Sequence, residues 1–350
     1  MSVWYIYPIF KHFSFSIIGD KHIKYLKNYL HLQSLDENII PYLDFKTKPK
    51  IILHPYFYPL QKFEKIIQKW DKKTDGIIGI DIADSDKLTD YAVKLTEYAN
   101  ALIVPSNFSK NTFLNSGVKK PVFVVPHGVE DEWIDAPKIQ IDLFDTPLKK
   151  LLEEKAKGKK LLLSFILHSD YRKGLDLLHT IFFNVKKERK DVALVFKGCD
   201  GVHFFDNPPN MSITLTNKGW LSESEKMKLF DICDIYLLTS RGGGFELPAL
   251  EGLTRGLPVI GAKDGSWEDF LPDWCLVESK PSNVVLAGNP IHCGKGVEMI
   301  IEKAIDKTLY ILDNLDDYQQ KIREHINNVI RNNFTWKIIA KKLADIITRY

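Results

Sequence analysis

The chain has few cysteines, no long apolar run and no strong charge of one sign, and each shortage removes a class of protein. Its four cysteines, Cys199, Cys233, Cys275 and Cys293, show no C-x-x-C spacing. Scattered thiols in 350 residues argue against a disulfide framework and a cysteine-based zinc site, and fit a reducing compartment. No stretch approaches the about 20 apolar residues needed to cross a bilayer. The start, Ser2-Val-Trp-Tyr-Ile6, reads as a first strand and lacks the charged, apolar and small-residue regions of a secretory signal. The expected location is cytoplasmic, or at most peripheral to a membrane. A formal net charge of +3 demands no polyanionic partner. Neither G-x-G-x-x-G after the first strand nor G-x-x-x-x-G-K-[ST] occurs, so the dinucleotide and P-loop readings lose their usual support.

What is present is alternation. Strand-like apolar runs at 3–10, 50–54, 76–81, 101–106 and 122–126 are separated by helical patterns at 20–32, 59–70, 87–98 and 107–116. After a charged interval at 137–160, which holds a helical pattern at 147–157, a second series begins. Its runs are 160–167, 192–198, 212–217, 234–240 and 258–262, with helical patterns at 174–190, 222–233 and 247–255. From 296 onward the chain reads as helical, and its end carries Trp336, Ile339, Leu343 and Ile346 on one stripe. Two series of βα units predict an α/β fold with two doubly wound parallel sheets, each offering a ligand crevice at the carboxyl ends of its strands. The expected division is a first domain at 1–133 joined by the helix 335–350, a linker at 134–158, and a second domain at 159–334.

The chemistry concentrates in 240–251. A buried strand ending in Ser240 leads into Arg241-Gly-Gly-Gly-Phe-Glu-Leu-Pro-Ala-Leu-Glu251, followed by Gly256-Leu-Pro-Val-Ile260. Three glycines let the backbone turn tightly and approach a ligand. Pro248 suits the first turn of a helix, where no amide donor is needed, and the remaining amides there favour an anion or a hydroxyl-rich group. Glu251 falls about one turn into that helix, while Glu246 lies in the entering loop. Taken by themselves, a glycine turn and two glutamates also suit an ordinary strand-to-helix connection with a solvated face.

This stretch resembles the signature of the retaining GT-B glycosyltransferases of family 4, in which a strand ending in Ser leads into E-G-F-G-L-x-x-L-E and then a G-x-P-V strand. The resemblance implies a GT-B fold, with two Rossmann-like domains facing a cleft and a C-terminal helix crossing back to the first. It places Glu251 on the donor ribose and Gly244, Phe245 and Leu247 in the loop that holds the donor sugar. The family's first glutamate falls on Gly243, and Glu246 stands where glycine is usual, so the spacing is E-x4-E instead of E-x7-E. Either Glu246 reaches the sugar from a shifted position or that contact is lost. The run 161–175 resembles the first strand and loop of the nucleotide domain, with Lys173 at the position that neutralises the donor diphosphate as charge builds on the leaving group. The family's partner arginine falls on His168; either Arg172 takes over its role or a protonated His168 suffices. Trp220 and Leu221 match the nucleobase pocket, with Gly198 as its other wall, although Trp220 reads equally as a core aromatic. Lys173 has a plainer reading too, as a solvated lysine at a helix start.

The resemblance continues through 101–133, where His127 stands at a turn position usually held by asparagine and reads as structural. On the acceptor side Asp81 occupies the strand end where the family often has a histidine. An aspartate there can contact sugar hydroxyls or cap the next helix. His54, ending another strand, is a second candidate, and Gly19 after the run 13–18 matches the glycine turn that approaches the diphosphate.

The resemblance implies transfer of a sugar from a nucleotide diphosphate sugar to a hydroxyl of a glycan, lipid or protein-linked sugar, with retention at the anomeric carbon. No cofactor is expected, because the nucleotide sugar is itself a substrate. No metal is expected either, because cations and helix N-termini offset the diphosphate charge. Three rivals make different forecasts. A non-catalytic nucleotide-sugar or glycan-binding protein would bind donor without turnover. A GT-B epimerase would interconvert the free donor. A nucleic-acid glucosyltransferase would need a concentrated basic groove, whereas Lys21, Lys24, Lys27, Lys119, Lys120, Lys337, Lys341 and Lys342 are spread over separate segments. Nucleic acid is therefore not an expected partner. The lysines leave peripheral contact with an anionic membrane open.

Overall fold

The computed structural model describes residues 2–138, 148–166, 169–199, 212–217 and 221–350. The chain forms two compact units, each built on a six-stranded parallel sheet. The first unit comprises Met1–Gly128, Leu286–Lys295 and Asn333–Tyr350. Its strands are β1 (Val3–Tyr7), β2 (Leu32–Asp36), β3 (Lys50–Leu53), β4 (Ile77–Ile80), β5 (Ala101–Val104) and β6 (Val122–Val124). The second comprises Val129–Val285 and Gly296–Asn332. It carries β7 (Lys160–Phe165), β8 (Val192–Cys199), β9 (Ser212–Asn217), β10 (Ile235–Leu238), β11 (Val259–Ala262) and β12 (Leu276–Val277), followed by the pair β13 (Ser279–Val284) and β14 (Lys295–Met299).

The sheet orders are β2-β1-β3-β4-β5-β6 and β12-β11-β10-β7-β8-β9. In each, the chain runs to one edge, then returns and continues on the other side of the first strand. The reversal leaves a crevice at the carboxyl ends of the two strands that flank it, β1 and β3 in the first unit, β7 and β10 in the second. Strands β3, β4, β5, β10 and β11 are buried at every position, as continuous Ile, Leu and Val runs require when helices cover both faces. The C-terminal helix Trp336–Arg349 lies in the first unit against the helix Ser14–Leu26, with Trp336, Ile339, Leu343 and Ile347 buried.

Four features depart from the sequence pattern. The run 13–18 is helical, because Ser14–Leu26 forms one helix opened by a reciprocal bond pair between Phe13 and Ser16. Gly19 therefore sits within a helix and not in a phosphate-approaching turn; a side chain there would strike the ring of Tyr7. The helical pattern read at 147–157 is the helix Lys149–Ala156, but it belongs to the second unit and not to a separate linker, tied to that sheet by Lys155 Nζ on Asp234 at 2.8 Å. Residues 296–299, expected to be helical, lie in β14. Finally, Leu286–Lys295 leaves the second unit to pair with the first, where the amide of Thr89 donates to the carbonyl of Ile291 (2.9 Å) and the amide of Lys295 donates to Asp86 Oδ1 (2.7 Å). Among the described residues no helix is long and apolar enough to cross a membrane.

Candidate active site

The second unit's crevice is built from two loops, one after β7 and one after β10. The first ends in the short helix Asp170–Lys173 and Gly174, whose φ of +69° sits in the left-handed region. Gly174 is required there for a second reason, since any side chain would collide with the carbonyl of Thr239. That close approach lets the loops lace together. The amide of Arg241 donates to the carbonyl of Arg172 (2.6 Å), Arg172 Nη1 donates to the carbonyl of Gly242 (3.0 Å), and Thr239 Oγ1 donates to the carbonyl of Lys173 (3.1 Å).

The lacing brings Lys173 onto Glu246. Their ammonium and carboxylate meet at 2.5 Å, with the two side chains 17% and 6% exposed. Ser240 Oγ reaches the same carboxylate oxygen at 2.8 Å. Glu246 holds φ +55°, an unusual conformation for a residue with a side chain, and it stands at the N-cap position of the helix Leu247–Thr254 without a side-chain capping bond. This turn carries the carboxylate back over the loop. A Cβ on Gly243 would lie 2.5 Å from Glu246 Oε1. The carboxylate thus occupies the space a side chain at 243 would need, which is how this chain accommodates the shortened glutamate spacing. Phe245 is buried on Phe270 (ring centroids 5.1 Å apart) and anchors the loop between them, with Gly244 buried beside it and Leu247 half-buried at the helix start.

Arg172 is buried, and its Nη1 bond to the carbonyl of Gly242 braces the loop. Glu251, one turn further on, is buried and accepts from Lys226 Nζ at 2.7 Å. Burial alone would lower the Lys226 ammonium's pKa; the charges of Glu251 and Glu223 outweigh it and raise it. Lys226 also stands 5.1 Å from the ring centre of Trp133, whose indole N–H donates to Glu223 at 2.8 Å. Gly198 is buried near the end of β8, and Leu221 precedes a helix that Ser222 and Glu225 cap reciprocally. His168 and Trp220 lie outside the described residues.

Two side chains that sequence reasoning passed over matter to this crevice. Lys226 was hidden because its partner is 25 positions away on another helix. Arg241 is almost fully buried and ties three elements, with two bonds to Asp176, one to Glu298 and one to the carbonyl of Tyr171.

The first unit's candidates are organised differently. Asp81 does not cap the helix that follows it, Asp90–Leu95, which Thr89 caps; it binds the start of the preceding helix instead. Its Oδ2 accepts from the amide of Phe57, the first residue of the helix Phe57–Ile67, and its Oδ1 from the amide of Ile82, each at 2.8 Å. Burial raises its pKa to about 7 against the opposing pull of those amides. His54 is buried with its Nδ1 2.9 Å from Tyr5 Oη, which lies 2.7 Å from His22 Nδ1 on its other side. Burial pushes His54 and His127 down to about 3 and His22 well below its ordinary value, so all three rings are neutral packing groups. The His127 ring lies among those of His22 and Trp336, with centroids 6.5 and 6.3 Å away.

Comparison with known proteins fits this geometry. The sequence profile described as glycosyl transferases group 1 matches residues 149–282, which span both loops of the crevice. Protein 356 of Sulfolobus islandicus rod-shaped virus 1 is 35% identical over 363 aligned positions, covering 100% of this chain and 99% of that protein. A chain from a Sulfolobus islandicus filamentous virus, which carries a provisional glycosyltransferase name, is 26% identical over 82% of this chain and 77% of its own length. Residues 149–282 belong to the glycosyl transferases group 1 family. The chain's two-sheet architecture is the GT-B fold. Anabaena Alr3699/HepE in complex with UDP superposes with a TM-score of 0.70 over 100% of both chains at 11% identity, a likeness of fold alone. Within this glycosyltransferase family the crevice of the second unit occupies the stretch that the profile matches, and its Lys173–Glu246 pair lies at the reversal between β7 and β10.

Proposed function

We propose that this chain is a retaining glycosyltransferase, similar to those of family 4, that moves a sugar from a nucleotide diphosphate sugar to a hydroxyl acceptor. The observation that carries the reading is the convergence of Lys173 and Glu246 at the second unit's switch point. A cation there meets the requirement of the chemistry, since the bond to the diphosphate breaks with negative charge building on the leaving group. Lys173 would hold that charge, helped by the amides opening the helix Leu247–Thr254. Glu246 would take hydroxyls of the donor sugar, and Glu251 the ribose. Gly198 and Leu221 would wall the base. This cationic and amide set makes the transfer metal-independent in our reading, with no cofactor besides the substrate. The acceptor is a sugar, free or carried on a lipid or protein. The solved relative holds UDP, which makes a UDP-sugar the first donor to try.

The test is a thermal-shift panel of nucleoside diphosphates and their sugars. A specific donor at about a hundredfold excess over its dissociation constant should add roughly 2.7 kcal/mol to stability. Slow hydrolysis of that donor, followed by proton NMR in EDTA, should release sugar of unchanged anomeric configuration. Inverted product would remove the retaining mechanism, and loss of hydrolysis in EDTA would remove metal independence. Binding without hydrolysis or transfer would leave a nucleotide-sugar-binding protein on the same fold.

A further inference from the structure

The Lys173–Glu246 pair lies where the reading above, on which this inference rests, puts the donor diphosphate. In the structure the ammonium is paired with this carboxylate at 2.5 Å, and the pair is mostly buried. An anion can use Lys173 fully only by displacing a carboxylate that is held in three ways. Ser240 donates to it, the left-handed turn at 246 aims it, and Gly243 leaves room for it. A carboxylate and a diphosphate cannot both sit against one ammonium without strong like-charge repulsion in a poorly solvated site.

We propose that Glu246 is an internal competitor for the diphosphate, so that donor binding itself releases its carboxylate from Lys173 toward the sugar. The diphosphate carries more than one negative charge and outbids a single carboxylate for Lys173. The freed carboxylate then needs hydrogen-bond donors, and sugar hydroxyls supply them. A nucleoside diphosphate alone bears the displacement cost without that return, whereas the intact nucleotide sugar recovers it. The exchange therefore discriminates donor from the product nucleoside diphosphate and favours product release. Ser240 and Gly243 act as positioning residues for Glu246. All of these groups lie within the second unit.

The test compares UDP and UDP-glucose binding by calorimetry in the full chain and in Glu246→Gln. The variant keeps the shape of the side chain and loses the competing charge. We expect it to bind UDP at least about threefold more tightly, as expected for freeing a partly shielded cation, while UDP-glucose gains less and turnover falls. The UDP-glucose to UDP affinity ratio should drop. Weaker or unchanged UDP binding in Glu246→Gln, with an unaltered unfolding midpoint, would overturn the competitor role. Because an altered loop could mask the effect, Ser240→Ala offers a second route. It removes the hydroxyl that tethers the carboxylate, which also lies 2.9 Å from the carbonyl of Gly242, and with an unaltered unfolding midpoint it should also tighten UDP; weaker or unchanged binding would likewise count against the proposal. If the unmodified protein binds neither UDP nor any other nucleoside diphosphate, it is the glycosyltransferase reading that fails.

Discussion

Gly243 and Glu246 share one small volume, since a Cβ on the glycine would come within 2.5 Å of the glutamate's Oε1. The glycine is therefore required because a carboxylate, folded back by the left-handed turn at 246, needs the place. Gly243→Ala should push that carboxylate off Lys173 and Ser240 while leaving the fold intact. Turnover should fall about tenfold or more, a change of about 1.4 kcal/mol in the barrier. Steady-state kinetics with an unchanged unfolding midpoint would show it; full activity would mean that Glu246 is not used. The paired exchange Gly243→Glu with Glu246→Gly moves the carboxylate to the other end of the same volume and relieves the strained turn. It should recover activity relative to Gly243→Glu alone.

Glu251 carries two jobs that one substitution confounds. Its carboxylate neutralises Lys226, whose side chain is only 16% exposed, and it is also the proposed ribose contact. Glu251→Ala should lower stability by up to about 3 kcal/mol by stranding a shielded ammonium, with Glu223 at 3.3 Å offsetting part of that loss. Adding Lys226→Met should restore the unfolding midpoint without restoring turnover. If activity returned together with stability, Glu251 would be a structural partner of Lys226 and nothing more.

How much of this was legible depended on where each determinant lies. The central strands were readable because continuous runs such as Ile51-Ile-Leu53 and Leu161-Leu-Leu163 suit only a sheet covered on both faces. Strand β2, Leu-Gln-Ser-Leu-Asp, escaped notice because an edge strand with half-buried sides needs no such run. The helix over Ser14–Leu26 was obscured by Phe-Ser-Phe-Ser-Ile-Ile, whose alternation imitates a strand until the Phe13–Ser16 cap and burial against the C-terminal helix decide otherwise. The loop at 240–251 was found from its residue types. The direction of Glu246 was not, because a left-handed turn at a glutamate is set by surrounding contacts and not by local preference. Asp81 could be assigned only once the helix start at Phe57 was seen above it, and the excursion 286–295 depends on partners some 200 positions away.

The buried histidines give stability a definite pH slope. His54 and His127 titrate near 3 in the folded chain and near 6.5 when unfolded, and His22 is shifted the same way. Between those values the unfolded chain binds protons that the folded one refuses, so each ring withdraws about 1.4 kcal/mol per pH unit as pH falls. Asp81 acts oppositely. Its folded value of about 7 lies above the ordinary 3.8, so its stabilising effect is complete below 3.8 and is lost as pH rises through 7. Three histidines outweigh one aspartate. Denaturant unfolding followed by hydrogen exchange in β1, β3 and β5 should show the first unit weakening steadily from pH 6.5 to 4.5. Constant or rising stability over that range would mean that the rings are not neutral and buried.

Arg255 and Asp231 make the strongest purely structural claim in the second unit. They are 3% and 2% exposed and meet through two parallel bonds of 2.8 and 2.7 Å. The remaining guanidinium donors go to the carbonyls of Trp133, Ala136 and Pro137. Five donors with five acceptors leave no capacity for a ligand, so this arginine pins the segment 133–137 to the helix Glu223–Ile232 and takes no part in catalysis. Arg255→Ala should cost about 3–5 kcal/mol by leaving a buried carboxylate uncompensated. Arg255→Lys should rescue little, because an ammonium cannot span a carboxylate and three carbonyls with one planar fork. Removing both charges, as Arg255→Met with Asp231→Leu, should be milder than Arg255→Ala. The same melting series should show donor affinity per folded molecule unchanged throughout. A loss of donor affinity in folded Arg255→Met/Asp231→Leu would mean that this pair reaches the active site after all, through Trp133 and its bond to Glu223 beside Lys226.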